Sequence, residues 1–161
     1  MTRREQHLGS AGQNLAASTL SGMGIEMVEK IGTPVVLAPV GSGKNVFHVR
    51  FGEKVSGDHR GILPGGRSVL AETKTILDRN LQWSDLREHQ PGRLCRHADL
   101  GGLSLLVWVH TSGVYVMQFP LEGFGERKSI SVERAREEHE KTKRLLEGVT
   151  YSSLARPDTK A

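Results

Sequence analysis

Asp58, Glu72 and Lys74 are the residues whose types and order can do chemistry together. A turn signal, Pro64-Gly65-Gly66, separates Asp58 from Glu72, and such a turn folds two extended segments side by side. Both carboxylates then aim at one spot. Glu72 and Lys74 stand two apart, so on a strand their side chains share a face. Thr73 between them faces the other way, and its backbone carbonyl lies at the edge of the site. Two carboxylates, a backbone carbonyl and waters form a hard, all-oxygen shell that suits Mg²⁺ or Mn²⁺ and not zinc. A cation held there polarises a phosphoryl oxygen and acidifies a water, which is the chemistry of phosphodiester hydrolysis. Lys74 has three available roles: positioning the attacking water, deprotonating it, or stabilising charge on the phosphorane. The competing interpretation is an exposed strand whose Glu72 and Lys74 form a solvated face. Val69, Leu70 and Ala71 weigh against it, because they make the strand apolar on both sides of Glu72.

The elements that must position these residues follow from periodicity and punctuation. A helix is expected over 12–29, with Leu15, Leu20, Met23, Met27 and Val28 as its apolar stripe and Gly22 and Gly24 weakening it. Ahead of it, residues 1–11 read as a flexible basic arm carrying Arg3 and Arg4. Strands are expected over 34–40 and 46–51, the second alternating polar and apolar residues. Residues 58–63 and 68–77 read as the two arms of a hairpin. Ser84 is an expected helix N-cap, and Pro91 must kink or restart that helix. Residues 103–109 and 114–119 read as a second hairpin around Ser112-Gly113. Ser131 is placed to cap a last helix over 132–147, ending at Gly148, and 151–161 read as a disordered tail. The fold class is therefore α/β, in the order helix, about three strands, helix, two strands, helix.

Size and composition bound the class. The chain has 161 residues, enough for one domain with a real core. It is 37% hydrophobic and 25% charged, and no apolar run approaches a membrane span. No apolar signal segment opens the chain, and Cys95 is its lone cysteine, so a cytoplasmic, reducing setting is expected. Lys plus Arg number 22 against 18 Asp plus Glu, a net charge of +4 that is compatible with a polyanionic partner.

Four signals carry no function of their own. Gly41-Ser42-Gly43-Lys44 lacks the first glycine and the final hydroxyl of a phosphate loop, having Ala38 and Asn45 there, so no nucleotide cofactor is expected. Cys95 with His89 and His97 lacks the second ligand pair of a zinc site. Trp83 and Trp108 read as core or interface residues, and the mixed charges of 132–147 read as a solvated helix face.

The ordered motifs nevertheless form a larger pattern. Asn14 is followed by Lys30 and Thr33-Pro34-Val35, then Asp58 with Gly61, then Glu72-Thr73-Lys74-Thr75, then His89-Gln90, then Gly101-Gly102. From about residue 9 to residue 120, this pattern resembles the PD-(D/E)xK nucleases, and more closely the RecU-type and archaeal-type Holliday-junction resolvases. The resemblance implies a restriction-endonuclease-like core over 12–150, with a mixed central β-sheet flanked by helices. It makes Asp58 and Glu72 metal ligands, with the Thr73 carbonyl, and Lys74 the catalytic lysine. Gln90 would reach the site from the following helix, and Thr33 would help place the DNA. Residues 39–57 would correspond to a projecting stalk, with Lys44, Arg50 and Lys54, and also Arg60, as DNA contacts; an ordinary solvated hairpin is the competing interpretation. Related resolvases carry a first-helix carboxylate, and the corresponding stretch here, 9–13, has none.

The expected activity is Mg²⁺-dependent resolution of four-way DNA junctions by symmetric nicks from a homodimer. Two alternatives stay open: a nicking or restriction-like nuclease on linear duplex, and a non-catalytic DNA-binding module.

Overall fold

Helix α1 spans Arg3–Gly22 and is followed at once by strand β1, Glu26–Lys30. In this computed structural model the backbone is described for residues 3–32, 35–39, 47–51, 57–125 and 128–154, and side chains for 7–32, 57–125 and 128–149. Two sequence expectations are corrected here. The helix starts at Arg3, not Gly12, because Arg, Glu, Gln, Leu and Ala in this stretch are good helix formers. The supposed arm is therefore helical from Arg3 onward. The helix also stops earlier than Glu29. Gly24 adopts φ 85°, a left-handed conformation that only glycine enters without strain. Its N–H bonds Ser21 O at 3.1 Å, and the Ile25 N–H reaches back to Leu20 O at 3.3 Å. This is a Schellman cap, and its hydrophobic partners Leu20 and Ile25 are both buried. Met27 and Val28 thus belong to a strand.

Strands β2 (Val35–Pro39) and β3 (Phe47–Phe51) pair antiparallel as a separate two-stranded sheet. This hairpin starts at Val35, ahead of the expected stalk boundary at Pro39. Strands β4 (His59–Ile62) and β5 (Ser68–Thr75) form the next antiparallel pair. Their turn closes with Leu63 N–H to Arg67 O and Gly66 N–H to Leu63 O, both 2.9 Å. Then come β6 (Leu81–Gln82), a short 3-10 helix (Trp83–Asp85) and α2 (His89–Asp99). Ser84 lies inside the 3-10 turn and caps no α-helix. Pro91 sits in the first turn of α2, where backbone N–H groups have no intrahelical partner, so the helix starts around it. Strands β7 (Leu103–His110), β8 (Gly113–Gln118) and β9 (Ser129–Ile130) precede α3 (Val132–Leu154). Ser131 Oγ accepts the Arg134 N–H at 3.3 Å, the expected cap. The helix runs through Gly148, and its end at Leu154 lies inside the stretch read as a tail.

The main sheet has the order β1-β4-β5-β7-β8, with β5 and β7 parallel and the other pairs antiparallel. The chain is thus α/β, with a mixed central sheet flanked by helices. Strand β7 is buried from Leu103 to Val109, as a central strand covered on both faces must be. Leu103, Leu105 and Val107 pack with Ala16 and Leu20 of α1 and Leu146 of α3. Leu106 and Trp108 point the other way, packing with Leu94 of α2. Trp108 is fully buried and its Nε1–H donates to Ile76 O at 2.8 Å, so its polar atom is satisfied. Among the described residues no helix is long and apolar enough to cross a membrane.

Candidate active site

The β4–β5 hairpin carries Asp58 alongside β5. Asp58 N–H donates to Ala71 O, and Ile31 N–H donates to Asp58 O, both at 2.8 Å. The backbone of Asp58 is therefore pinned from β5 on one side and from the end of β1 on the other. Its carboxylate is pinned as well: Thr73 N–H donates to Oδ2 at 2.8 Å, and Gln13 Nε2 donates to Oδ1 at 3.1 Å. A residue within a strand directs its N–H and C=O to the same side. The Thr73 carbonyl therefore faces the edge where Asp58 sits.

Glu72 is 2% exposed, and both of its carboxylate oxygens have partners. Gly57 N–H donates to Oε2 at 3.1 Å. Lys74 Nζ reaches Oε1 at 3.0 Å, and Gln90 Nε2 donates to the same oxygen. Lys74 Nζ also donates to Gln90 Oε1 at 2.7 Å, and that oxygen accepts the Arg87 N–H at 2.8 Å. Gln90 thus locks the glutamate and the lysine together from the first turn of α2. Burial is the larger influence on Glu72, and the neighbouring Asp58 charge the next. Together they push its carboxyl above the usual glutamate range, against the opposing pull of Lys74 and the Gly57 N–H.

The structure brings together Asp58, Glu72, Lys74 and Gln90, and orients Thr73 as expected. Each carboxylate oxygen has two acceptor positions. Glu72 Oε1 uses both. Among the described residues, Glu72 Oε2 and the two Asp58 oxygens use one each. Those three oxygens and the Thr73 carbonyl make an all-oxygen donor set, which fits Mg²⁺ or Mn²⁺. No group of three or more His, Cys, Asp or Glu converges among the described residues, so the set holds two carboxylates and no third.

Gln13 is the residue that sequence reasoning missed. It comes from α1, in the stretch noted above for lacking a carboxylate. Gly12 lets the helix approach: a Cβ at that position would lie 2.0 Å from Thr75 Oγ1. A search for charge passes over an amide, so no sequence signal marked it. Gly57 was missed too, because a backbone N–H has no sequence signature.

The expected DNA contacts are less gathered. Thr33, Lys44 and Lys54 lie outside the described residues. Arg50 lies in β3 opposite Val36, and its side chain is outside the described set. Arg60 is 70% exposed and pairs with Glu29 at 2.8 Å. His59 is buried under the hairpin, with Nδ1 3.4 Å from Thr73 Oγ1, and burial lowers its pKa. It is a packing residue. Trp83 stacks against Phe119 and meets Phe124 edge-on, as the core interpretation expected. No protein-family model matches the chain, and no curated protein matches it significantly.

Proposed function

We propose that this chain is a metal-dependent endodeoxyribonuclease with a restriction-endonuclease-like core of the PD-(D/E)xK type. The observation that carries this reading is that Glu72, Lys74 and Gln90 hydrogen-bond one another while Asp58, held by the Thr73 N–H and Gln13, lies close enough to Glu72 for its charge to be felt, with acceptor positions to spare on both carboxylates. Asp58, Glu72 and the Thr73 carbonyl would hold the ion. Bound Mg²⁺, or Mn²⁺ in its place, supplies a Lewis acid for a phosphoryl oxygen and lowers the pKa of a water. Lys74 donates two of its three N–H groups to Glu72 and Gln90, leaving one for a non-bridging oxygen or the attacking water. Gln90 fixes that ammonium in direction, and Gln13 fixes Asp58. The Arg60 pair with Glu29 is an exposed one, worth about 0–1 kcal/mol. Its guanidinium can exchange Glu29 for a DNA phosphate at little cost.

A four-way junction is the proposed substrate and a homodimer the proposed form, acting in cytoplasmic DNA recombination or repair. Support for this finer level is the motif order described from the sequence. The test is cleavage of an end-labelled immobile junction beside its matched linear duplex, with Mg²⁺ and with EDTA. Paired nicks confined to the junction and dependent on Mg²⁺ are expected. Asp58→Asn and Lys74→Ala should abolish them while DNA binding persists and weakens with salt. Equal cutting of both substrates would transfer the assignment to a nuclease of linear DNA, and no cutting of either would remove the nuclease reading.

A further inference from the structure

At the opposite end of β5 lies a second ordered cluster that phosphodiester chemistry does not use. Ser68 Oγ is 3.0 Å from His97 Nε2. On the other side of the ring, His97 Nδ1 is 2.9 Å from Ser104 Oγ. Ser104 donates its own hydroxyl to Leu94 O at 2.7 Å. A serine hydroxyl has one proton. Ser104 can therefore only accept from the ring, which places the ring hydrogen on Nδ1. Burial first, and the nearby Arg67 charge second, lower the His97 pKa, so the ring is neutral near pH 7. Nε2 then offers a lone pair to the Ser68 hydroxyl. The order is nucleophile, base and orienting group, as an activated serine requires.

The surroundings hold this arrangement in place. A Cβ on residue 102 would sit 2.2 Å from the His97 ring, so Gly102 leaves the space the imidazole fills. Arg67 donates to Gly101 O at 2.8 Å and Gly102 O at 2.9 Å, tying the loop before β7 to the start of β5. Ser104 is 1% exposed, so the orienting hydroxyl is shielded from competing water, whereas Ser68 is exposed to a ligand. Ser68 and His97 also line a cavity of about 550 Å³. Met27, Ile31, Ile62 and Leu70 supply its aliphatic wall. The volume falls within the usual range of small-molecule sites, roughly 300–1,000 Å³.

The geometry points to a second catalytic site in which Ser68 attacks the carbonyl carbon of an ester with an aliphatic acyl chain, with His97 as the base. The acyl chain lies against Leu70, Ile62 and Ile31, where its burial is favourable. In the first step the Ser68 Oγ–carbon bond forms and the carbon–alkoxide bond breaks. The serine proton passes to His97 Nε2 and leaves with the alkoxide as alcohol. In the second step water adds to the acyl-serine, its proton passes to Nε2, and Ser68 recovers it as the carboxylic acid departs. Ser104 carries no charge with which to stabilise an imidazolium, so turnover is slower than with a carboxylate in that place.

The test uses the full chain with p-nitrophenyl butyrate and, separately, a fluorophosphonate probe followed by peptide mapping. One probe adduct on Ser68 and ester hydrolysis above the buffer rate are expected. Both should vanish in Ser68→Ala, which should keep its junction cleavage. His97→Gln should slow labelling about 100-fold. Ser104→Ala should slow it about tenfold and serves as the reporter if His97→Gln proves unfolded by circular dichroism. A wild-type chain that takes no probe and hydrolyses no ester overturns the proposal. So does labelling at Ser68 that proceeds equally fast in a folded His97→Gln or Ser104→Ala chain.

Discussion

Gln13→Glu tests the proposed ion site without touching an expected ligand. The substitution keeps the shape of the side chain. It replaces the Nε2–H that now donates to Asp58 Oδ1 at 3.1 Å with a second carboxylate oxygen. Two effects add in the ion-free protein. A hydrogen bond to a charged group is lost, about 1.5–3 kcal/mol. A like charge is also gained at short range. At an effective dielectric of about 20, two charges some 4 Å apart repel by roughly 4 kcal/mol. Side-chain relaxation into solvent removes part of this, since Gln13 and Asp58 are only partly buried. A net loss of about 2–4 kcal/mol is expected. For a chain of this length that lowers the melting temperature by roughly 2–4 °C per kcal/mol. Mg²⁺ reverses the sign, because the new carboxylate becomes a third acidic oxygen donor. A ligand at about 100 times its dissociation constant returns about 2.7 kcal/mol, comparable to the loss. The assay is thermal unfolding of wild type, Gln13→Glu and Gln13→Leu in EDTA and in excess Mg²⁺. Gln13→Glu should melt well below wild type in EDTA and recover in Mg²⁺. Gln13→Leu should melt lower in both. If Gln13→Glu melts like wild type in EDTA, or its deficit survives saturating Mg²⁺, then Gln13 does not face the ion site and the assignment of Asp58 fails with it.

Glu72→Gln should flatten the pH dependence of stability in EDTA. The folded carboxyl is raised, so the folded chain holds a proton that the unfolded chain has already released, and wild-type stability falls as pH rises from the ordinary glutamate pKa through the raised one; a wild-type curve rising across that window would contradict a buried Glu72 beside the Asp58 charge. Gln90→Leu leaves Lys74 Nζ, Glu72 Oε1 and the Arg87 N–H each short of a partner. It should lower stability by about 1–3 kcal/mol, and a lysine displaced by about 1 Å should reduce cleavage at saturating DNA about 100-fold; unchanged single-turnover rates would show that Gln90 does not set the lysine. Ca²⁺, used to prevent cleavage, should bind more tightly to the protein–junction complex than to the protein alone, and by linkage should tighten DNA binding by the same factor; calorimetric titrations giving equal Ca²⁺ affinities would show that DNA completes no part of the ion site.

The grouping of Glu72 and Lys74 with Asp58 was readable from sequence because strand geometry is strict. A period of two places Glu72 and Lys74 on one face whatever surrounds them, and the Pro64-Gly65-Gly66 turn leaves little choice about which strand Asp58 joins. The sheet strands β4, β5, β7 and β8 were legible for the same reason. The end of α1 was not. Leu20, Met23 and Met27 keep helical spacing, so apolar periodicity continues through the Schellman cap and into β1, and only the pair Gly22 and Gly24 signalled the break. Strands β6 and β9 pair only Leu81 with Ile130 and Gln82 with Ser129, too short a run to show any alternation. Gln13 stayed hidden because its role depends on where α1 lies across β5, a tertiary fact fixed by the Gly12–Thr75 approach.

A buried carboxylate beside a second carboxylate is unfavourable in isolation, and the fold tolerates it only by surrounding it with donors. Gly57 and Thr73 contribute backbone N–H groups, Gln13 and Gln90 contribute amides, and Lys74 contributes charge. These donors come from α1, the segment entering β4, β5 itself and α2, so no single element can shift without releasing one. Strand β5 in turn is held between β4 and the fully buried β7. Rigid elements of this kind keep reactive groups in place better than loops do. The two carboxylates are opposed by one ammonium, so the cluster retains one negative charge, less than a site with three acids would carry. A cation would therefore be attracted but not saturated by protein charge, and in the proposed nuclease a DNA phosphate would supply the remaining anionic oxygen. On this account the missing first-helix carboxylate does not disable the site. In the proposed nuclease, part of the ion's coordination would then fall to the substrate, and full assembly would wait for DNA.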